Sequence, residues 1–146
     1  MSFWDSSALL PLVVHEPASV SLRRLARTQG PMVVWWGSLV ECASALERWR
    51  CAGQVKHAER RQSEQLLTEL ATAWTEVEPG PILRERALRL LASHSLRAAD
   101  ALQLAAALVW AEERPAGRFF VCLDERLRDA ARRDGFSVLP EDSEAF

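Results

Sequence analysis

Four acids, Asp5, Glu41, Asp100 and Asp124, have the clearest capacity for chemistry, and they are spread over nearly the whole chain. Asp5 follows the short apolar stretch Ser2-Phe3-Trp4, and Asp124 follows the apolar run 119–123. Glu41 falls in the first turn of a helix expected to start at Ser38, just after the apolar run 32–36. Asp100 sits in residues 96–108, which are so apolar that as a helix they belong inside a fold. The polar members of that stretch, Arg97, Asp100 and Gln103, recur every three residues and share one broad face. A buried carboxylate is costly without a partner. Asp100 therefore pairs either with Arg97 across one helical turn or with a metal ion that other acids also hold.

Each acid also has a plainer reading. Asp5 and Asp124 are natural helix N-caps, and Ser38 with Glu41 fits the S-x-x-E capping box. Caps explain neither Asp100 nor the recurrence of acids just after apolar runs. Carboxylates gathered together repel one another and resist ionisation. A hard divalent cation removes that penalty, and oxygen donors suit Mg²⁺ or Mn²⁺. Ser6 or Ser7, next in the chain to Asp5, is placed to steady it with a hydrogen bond. Cys42, Cys51 and Cys122 do not have zinc-site spacing.

The elements needed to position these acids follow from hydrophobic periodicity and turn residues. Helices are expected over 6–14, 18–27, 38–50, 55–72, 82–92, 96–108 and 124–133. Between them fall short strands at 2–4, 32–36, 74–77, 119–123 and 136–139. Pro11 comes late enough to bend or end the first helix, and Gly53 closes the third. Gln29-Gly30-Pro31, Pro79-Gly80-Pro81 and Pro115-Ala116-Gly117 mark turns. Alternation of this kind predicts an α/β fold, with a mostly parallel sheet covered by helices on both faces. Ligands in such sheets sit beyond the carboxyl ends of the strands, the edge that Asp5, Glu41 and Asp124 would share. A single domain is expected over 1–146, with 140–146 as a flexible acidic tail.

With 146 residues, 49% of them hydrophobic, the chain can bury one core, and its formal charge of −2 excludes a global field for nucleic acid. Any such contact rests on local arginines: Arg23, Arg24 and Arg27; Arg84, Arg86 and Arg89; Arg126, Arg128, Arg132 and Arg133. Each group equally reads as a solvated helix face paired with acids. Trp35 and Trp36 are expected in the core, and Trp49, Trp74 and Trp110 are expected to be packed rather than stacked on bases. Three scattered cysteines suit a reducing, cytoplasmic setting. No stretch approaches the ~20 apolar residues of a membrane span, and no signal peptide is expected, since no basic region precedes the first apolar stretch.

Four segments, in this order and at this spacing, carry a family resemblance. They are Phe3-Trp4-Asp5-Ser6-Ser7-Ala8-Leu9, Leu39-Val40-Glu41, Leu96-Arg97-Ala98-Ala99-Asp100-Ala101-Leu102 and Phe119-Phe120-Val121-Cys122-Leu123-Asp124-Glu125-Arg126-Leu127. Together they resemble PIN-domain nucleases, especially the VapC-like toxins of bacterial toxin–antitoxin pairs. The resemblance implies a three-layer α/β/α sandwich and a Mg²⁺- or Mn²⁺-dependent endoribonuclease acting on single-stranded RNA. It also implies a cognate antitoxin and a homodimer. Asp5, Glu41, Asp100 and Asp124 match the family's acidic quartet. By that match Asp5 and Asp100 ligate the ion, Glu41 ligates or takes a proton from the attacking water, and Asp124 acts directly or through water. Many relatives carry Thr or Ser two residues before the last acid, where this chain has Cys122. A thiol is a weak donor, so a hydrogen bond to Asp124 is expected to be lost. The alternatives are a housekeeping RNA-processing nuclease and a catalytically silent α/β binding module. A receiver-like signalling domain is disfavoured because Asp5 has no acidic neighbour and Lys56 falls between helices. A phosphatase with Asp-x-Asp is disfavoured because Ser7 takes the second position.

Overall fold

Side chains along a strand point alternately to its two faces, and here both sets are apolar. In the computed structural model, which describes residues 1–142, Phe3, Val33 and Phe120 pack on one face, and Trp4, Val34 and Val121 on the other. All six are at most 1% exposed. A sheet buried on both faces needs helices on both, and the chain supplies them in order.

The strands are β1 (Ser2–Trp4), β2 (Met32–Trp35), β3 (Thr75–Val77), β4 (Phe119–Val121) and β5 (Ser137–Leu139). They form one parallel sheet in the order β3-β2-β1-β4-β5. The helices are α1 (Ser6–Val13), α2 (Ser19–Thr28), α3 (Ser38–Cys51), α4 (His57–Ala71), α5 (Pro81–Ser93), α6 (Ala98–Trp110) and α7 (Glu125–Arg133). The first four supply the core around Trp4, and the last three the core around Phe3. This is the expected α/β/α sandwich with an all-parallel centre. Chain direction across the sheet reverses after β3, so β1 and β4 are neighbours separated by more than a hundred residues. Their junction is the topological switch point at which parallel sheets open a crevice.

Helix α6 explains the composition of residues 96–108. Ala101, Leu104, Ala105, Ala106, Ala107 and Leu108 are all nearly inaccessible, and α6 packs along α5 and against β2 and β3. Burying Leu104 and Leu108 contributes about 1.5–3 kcal/mol each. The alanines let the backbones of α6 and its neighbours approach closely. Helix α3 starts where it does because Gly37 allows a tight exit from β2: a Cβ there would overlap the Trp35 indole. It ends at Cys51, and two residues on Gly53, with a φ of +74° that suits a residue without Cβ, turns the chain away.

One expectation changes. Trp36 is not core. It is half exposed beyond the end of β2, because Trp35 already fills the inward position next to it and the chain turns at Gly37. Of the segment 140–146, Pro140 and Asp142 are held by Arg128, and 143–146 lie outside the described residues. Among the described residues no helix is long and apolar enough to cross a membrane.

Candidate active site

The carboxyl ends of β1, β2 and β4 and the first turn of α6 surround a cleft of about 500 Å³ lined by Asp5, Glu41, Asp100 and Asp124. Each acid arrives by a local rule. Asp5 caps α1, its side chain accepting from the Ser7 N–H at 3.1 Å. Asp124 caps α7, accepting from the Leu127 N–H at 2.9 Å. Glu41 and Asp100 lie in the first turns of α3 and α6. For Asp5 and Asp124 the capping and clustering readings are therefore compatible, since the caps orient the carboxylates. The expected S-x-x-E box does not form, because Gly37 caps α3 without a side-chain bond, Ser38 Oγ accepts from Gln103 and Glu41 turns to Ser6 and Gln103.

The hydrogen bonds are one-sided. Asp5 Oδ2 receives both the N–H and the hydroxyl of Ser7, with the Cys122 Sγ at 3.6 Å. Glu41 Oε2 receives the Ser6 hydroxyl at 2.9 Å and the Gln103 amide at 3.3 Å. Asp124 Oδ1 receives its cap bond. In each case these bonds fall on one carboxylate oxygen, and the other accepts none among the described residues. Of the two serines considered beside Asp5, Ser7 takes that place and Ser6 serves Glu41.

Burial dominates the electrostatics. It raises the Asp5 carboxyl above its ordinary value despite the bonds from Ser7, and the charge of Asp100 adds to the rise. Burial likewise raises Glu41, against Ser6 and Gln103, with Asp5 and Asp100 adding. Asp100 is raised by burial and then by Asp124, while the Arg97 N–H and the charges of Arg97 and Arg126 pull it down. Among the described residues Arg97 closes no ion pair with Asp100; its N–H and its charge only moderate the rise. Burial, with Asp5 and Glu41 adding, pushes the Cys42 thiol up to about 12. Cys122 is also raised, by burial and then Asp5. Both thiols stay neutral, which leaves oxygen donors.

Among the described residues, no three carboxylate, thiol or imidazole groups already close around a point that could hold an ion. Like charges without a counter-ion keep apart. Mg²⁺ takes one or two carboxylates and keeps several waters, so an open ring of acids with free oxygens has the donor chemistry for it.

The amino-acid sequence matches the family model described as PIN domain over residues 3–133. The chain belongs to the PIN-domain family. Members of that family are generally metal-dependent nucleases. Two solved structures share the fold. The crystal structure of PAE2754 from Pyrobaculum aerophilum is 21% identical, with a TM-score of 0.63 over 94% of this chain and 90% of that one. The crystal structure of FitAcB from Neisseria gonorrhoeae is 12% identical, with a TM-score of 0.64 over 96% of this chain and 97% of that one. No curated protein matches the sequence.

Within this PIN domain, three features escaped sequence reasoning. Gln103 is fully buried and donates to Ser38 Oγ at 3.0 Å as well as to Glu41. Its Oε1 has no partner, at a cost of about 1–3 kcal/mol. The reverse orientation would set that oxygen against the Glu41 carboxylate, so the orphan is the cheaper arrangement. The period-three face with Asp100 was the available signal. Cys122 faces Asp5 and Ser7 rather than the Asp124 carboxylate, so the weak donor falls on Asp5, and α7 itself holds Asp124. Among the arginines, Arg128 is buried as a structural clamp. Arg86, Arg89, Arg132 and Arg133 pair with Glu113, Glu85, Asp142 and Asp129. Arg126 remains beside the acids, together with Arg97, which the sequence offered only as a partner of Asp100, and Arg48, which it did not single out.

Proposed function

We propose that this chain is a Mg²⁺- or Mn²⁺-dependent endoribonuclease that hydrolyses RNA phosphodiester bonds and serves as the toxin of a toxin–antitoxin pair. The observation that carries this reading is the ring of acids from four elements around one cleft, with an oxygen to spare on Asp5, Glu41 and Asp124. A bound cation supplies polarisation of the scissile phosphate and offsets its growing charge.

The chain's own residues do the rest. Asp5 and Asp100 would hold the ion, with Asp5 held through Oδ2 by Ser7 so that Oδ1 is available for it. Glu41 Oε1 either joins them or takes the proton of the attacking water, and Ser6 and Gln103 set its direction for both uses. The water oxygen bonds to phosphorus as the bond to the leaving oxygen breaks, and the water's proton ends on that leaving oxygen. Asp124 supports the ion directly or through water.

The substrate class, an antitoxin that covers the cleft and a homodimer come from the VapC-like resemblance. A cytoplasmic setting agrees with the free thiols of Cys42, Cys51 and Cys122. The test is cleavage of single-stranded RNA by the purified full chain in Mg²⁺, Mn²⁺ or EDTA. Cleavage is expected with either cation and not in EDTA. Intact RNA under all three conditions overturns the enzyme reading, and undiminished cleavage in EDTA overturns metal dependence. Expression of the chain alone is expected to slow growth. Normal growth with abundant soluble protein counts against the toxin role and leaves the nuclease.

A further inference from the structure

The acid cleft does not end at Asp100 and Asp124. A second cleft of about 540 Å³, lined by Arg97, Ala99, Asp100, Asp124, Glu125 and Arg126, shares Ala99 and both acids with the first. The two form one groove across the carboxyl edge of the sheet, from the α3 side to the α6–α7 side. Arg48 stands on the first side, exposed, its guanidinium bonded to the neutral Ser44 hydroxyl at 3.0 Å. Arg97 and Arg126 stand on the second, both exposed. Their charges are felt at Asp100, yet among the described residues none of these three arginines closes an ion pair. This sets them apart from Arg86, Arg89, Arg132 and Arg133, which do.

We propose that Arg48 on one rim and Arg97 with Arg126 on the other hold the phosphates flanking the scissile one, so that a single-stranded polynucleotide crosses the sheet edge with the acids beneath its middle. This rests on the nuclease reading and specifies how its substrate is held. A chain of net charge −2 with four acids in the cleft repels a polyanion unless cations stand beside the acids. Unpaired guanidiniums suit that task because they bond phosphate oxygens in pairs. The strand must be single because Asp5 is recessed, at 4% exposure. A flexible backbone can dip one phosphate to that depth and keep its neighbours on the rims, whereas an A-form duplex presents its phosphates on a stiff cylinder.

The experiment measures binding of a short labelled single-stranded RNA of mixed sequence, in Mg²⁺, at several salt concentrations. It uses the full chain carrying Asp100→Asn to prevent turnover. Removing one arginine–phosphate pairing should lower the slope of log affinity against log salt by about 0.7. Arg48→Ala should lower it by one such step, and Arg97→Ala/Arg126→Ala by at least one. Arg114→Ala, exposed beyond the C-terminal end of α6 while the first turn of that helix lines the groove, should leave it unchanged. An unchanged slope at either rim, or an equal drop in Arg114→Ala, overturns the proposal. So does duplex RNA that binds as tightly and shows the same drop in slope. Cleavage by the wild-type chain is scored separately: its absence would fell the nuclease reading, while the salt slopes would still decide the path of the strand.

Discussion

Two groups of buried charge lie on either side of the exit of β4, and they are handled in opposite ways. Arg128 is inaccessible, and the chain answers its charge from several directions. Its Nη1 donates to the Cys122 carbonyl at 2.7 Å, and its Nη2 to the Pro140 carbonyl at 2.7 Å and Asp142 at 2.8 Å. Asp142 responds: Arg128, then Arg132, holds its carboxyl below the ordinary value. A few residues away, Asp5, Glu41 and Asp100 are buried or half-buried and are raised by burial and by neighbouring acids. The hydrogen bonds to Asp5 and Glu41 come from neutral groups, and the charges of Arg97 and Arg126 oppose the rise at Asp100 without overcoming it. A buried charge with its complement in the chain is structural. Like charges gathered without one are held in a state that an external cation would relieve.

The contrast is broken most directly at Asp100. Asp100→Asn is expected to lower RNA cleavage on the order of 10²–10³-fold, while the metal-free protein melts no lower than wild type because a repulsion is gone. Full activity in this variant would remove Asp100 from the ion. The opposite response is expected at Arg128. Arg128→Leu keeps the volume but strands the carbonyls of Cys122 and Pro140, and is expected to cost on the order of 3 kcal/mol. Thermal melting should then fall by roughly 10 °C; a fall of a degree or two would mean that the clamp contributes little.

Metal should stabilise one group and ignore the other. Mn²⁺ at a hundredfold excess over its dissociation constant should stabilise the wild type by about 2.7 kcal/mol. It should do the same for Arg128→Leu and less for Asp100→Asn. If Asp100→Asn melts clearly lower without metal and Mn²⁺ shifts neither protein, Asp100 serves the α6 terminus alone. The smallest effect is in pH. The carboxyls of Asp5, Glu41 and Asp100 are raised in the fold above the 3.8 and 4.5 of ordinary Asp and Glu. Their contribution is therefore full below those values and is lost as pH rises through the raised ones. Asp142, lowered, acts in reverse: its contribution is lost as pH falls through its depressed value. Metal-free wild type should thus gain stability as pH falls through the raised values toward 4.5 and 3.8, and Asp100→Asn should gain less. A melting temperature flat across that range would contradict mutual repulsion in the cleft.

Much of this molecule was legible one segment at a time. The apolar runs before Asp5 and Asp124, their capping positions and the three-residue recurrence in α6 are short-range patterns, and helix or strand geometry turns each into a direction. The box from Ser38 to Glu41 was not legible in this way, because Gly37 is the cap and Gln103 and Ser6 claim those side chains. Strand–helix alternation was enough for a parallel sheet with two covered faces, and the edge at which Asp5, Glu41 and Asp124 emerge follows from strand direction. Trp36 shows the limit: hydrophobicity marked it as core, but the turn that Gly37 permits carries it past the sheet.

Partner choice belongs to the tertiary structure. That Ser7 holds Asp5 while Ser6 holds Glu41 depends on α1 lying against α3, and that Cys122 faces Asp5 depends on β4 pairing with β1, Trp4 opposite Val121. Arg126 and Arg128 look alike in the chain. Helical rotation and the return of residues 140–142 bury one and leave the other on the rim of the cleft. Periodicity and capping are properties of a few consecutive residues, so the sequence alone determined where the acids start. Which groups answer them depends on strand order and register, set by packing between segments far apart in the chain, and that only the folded molecule decided.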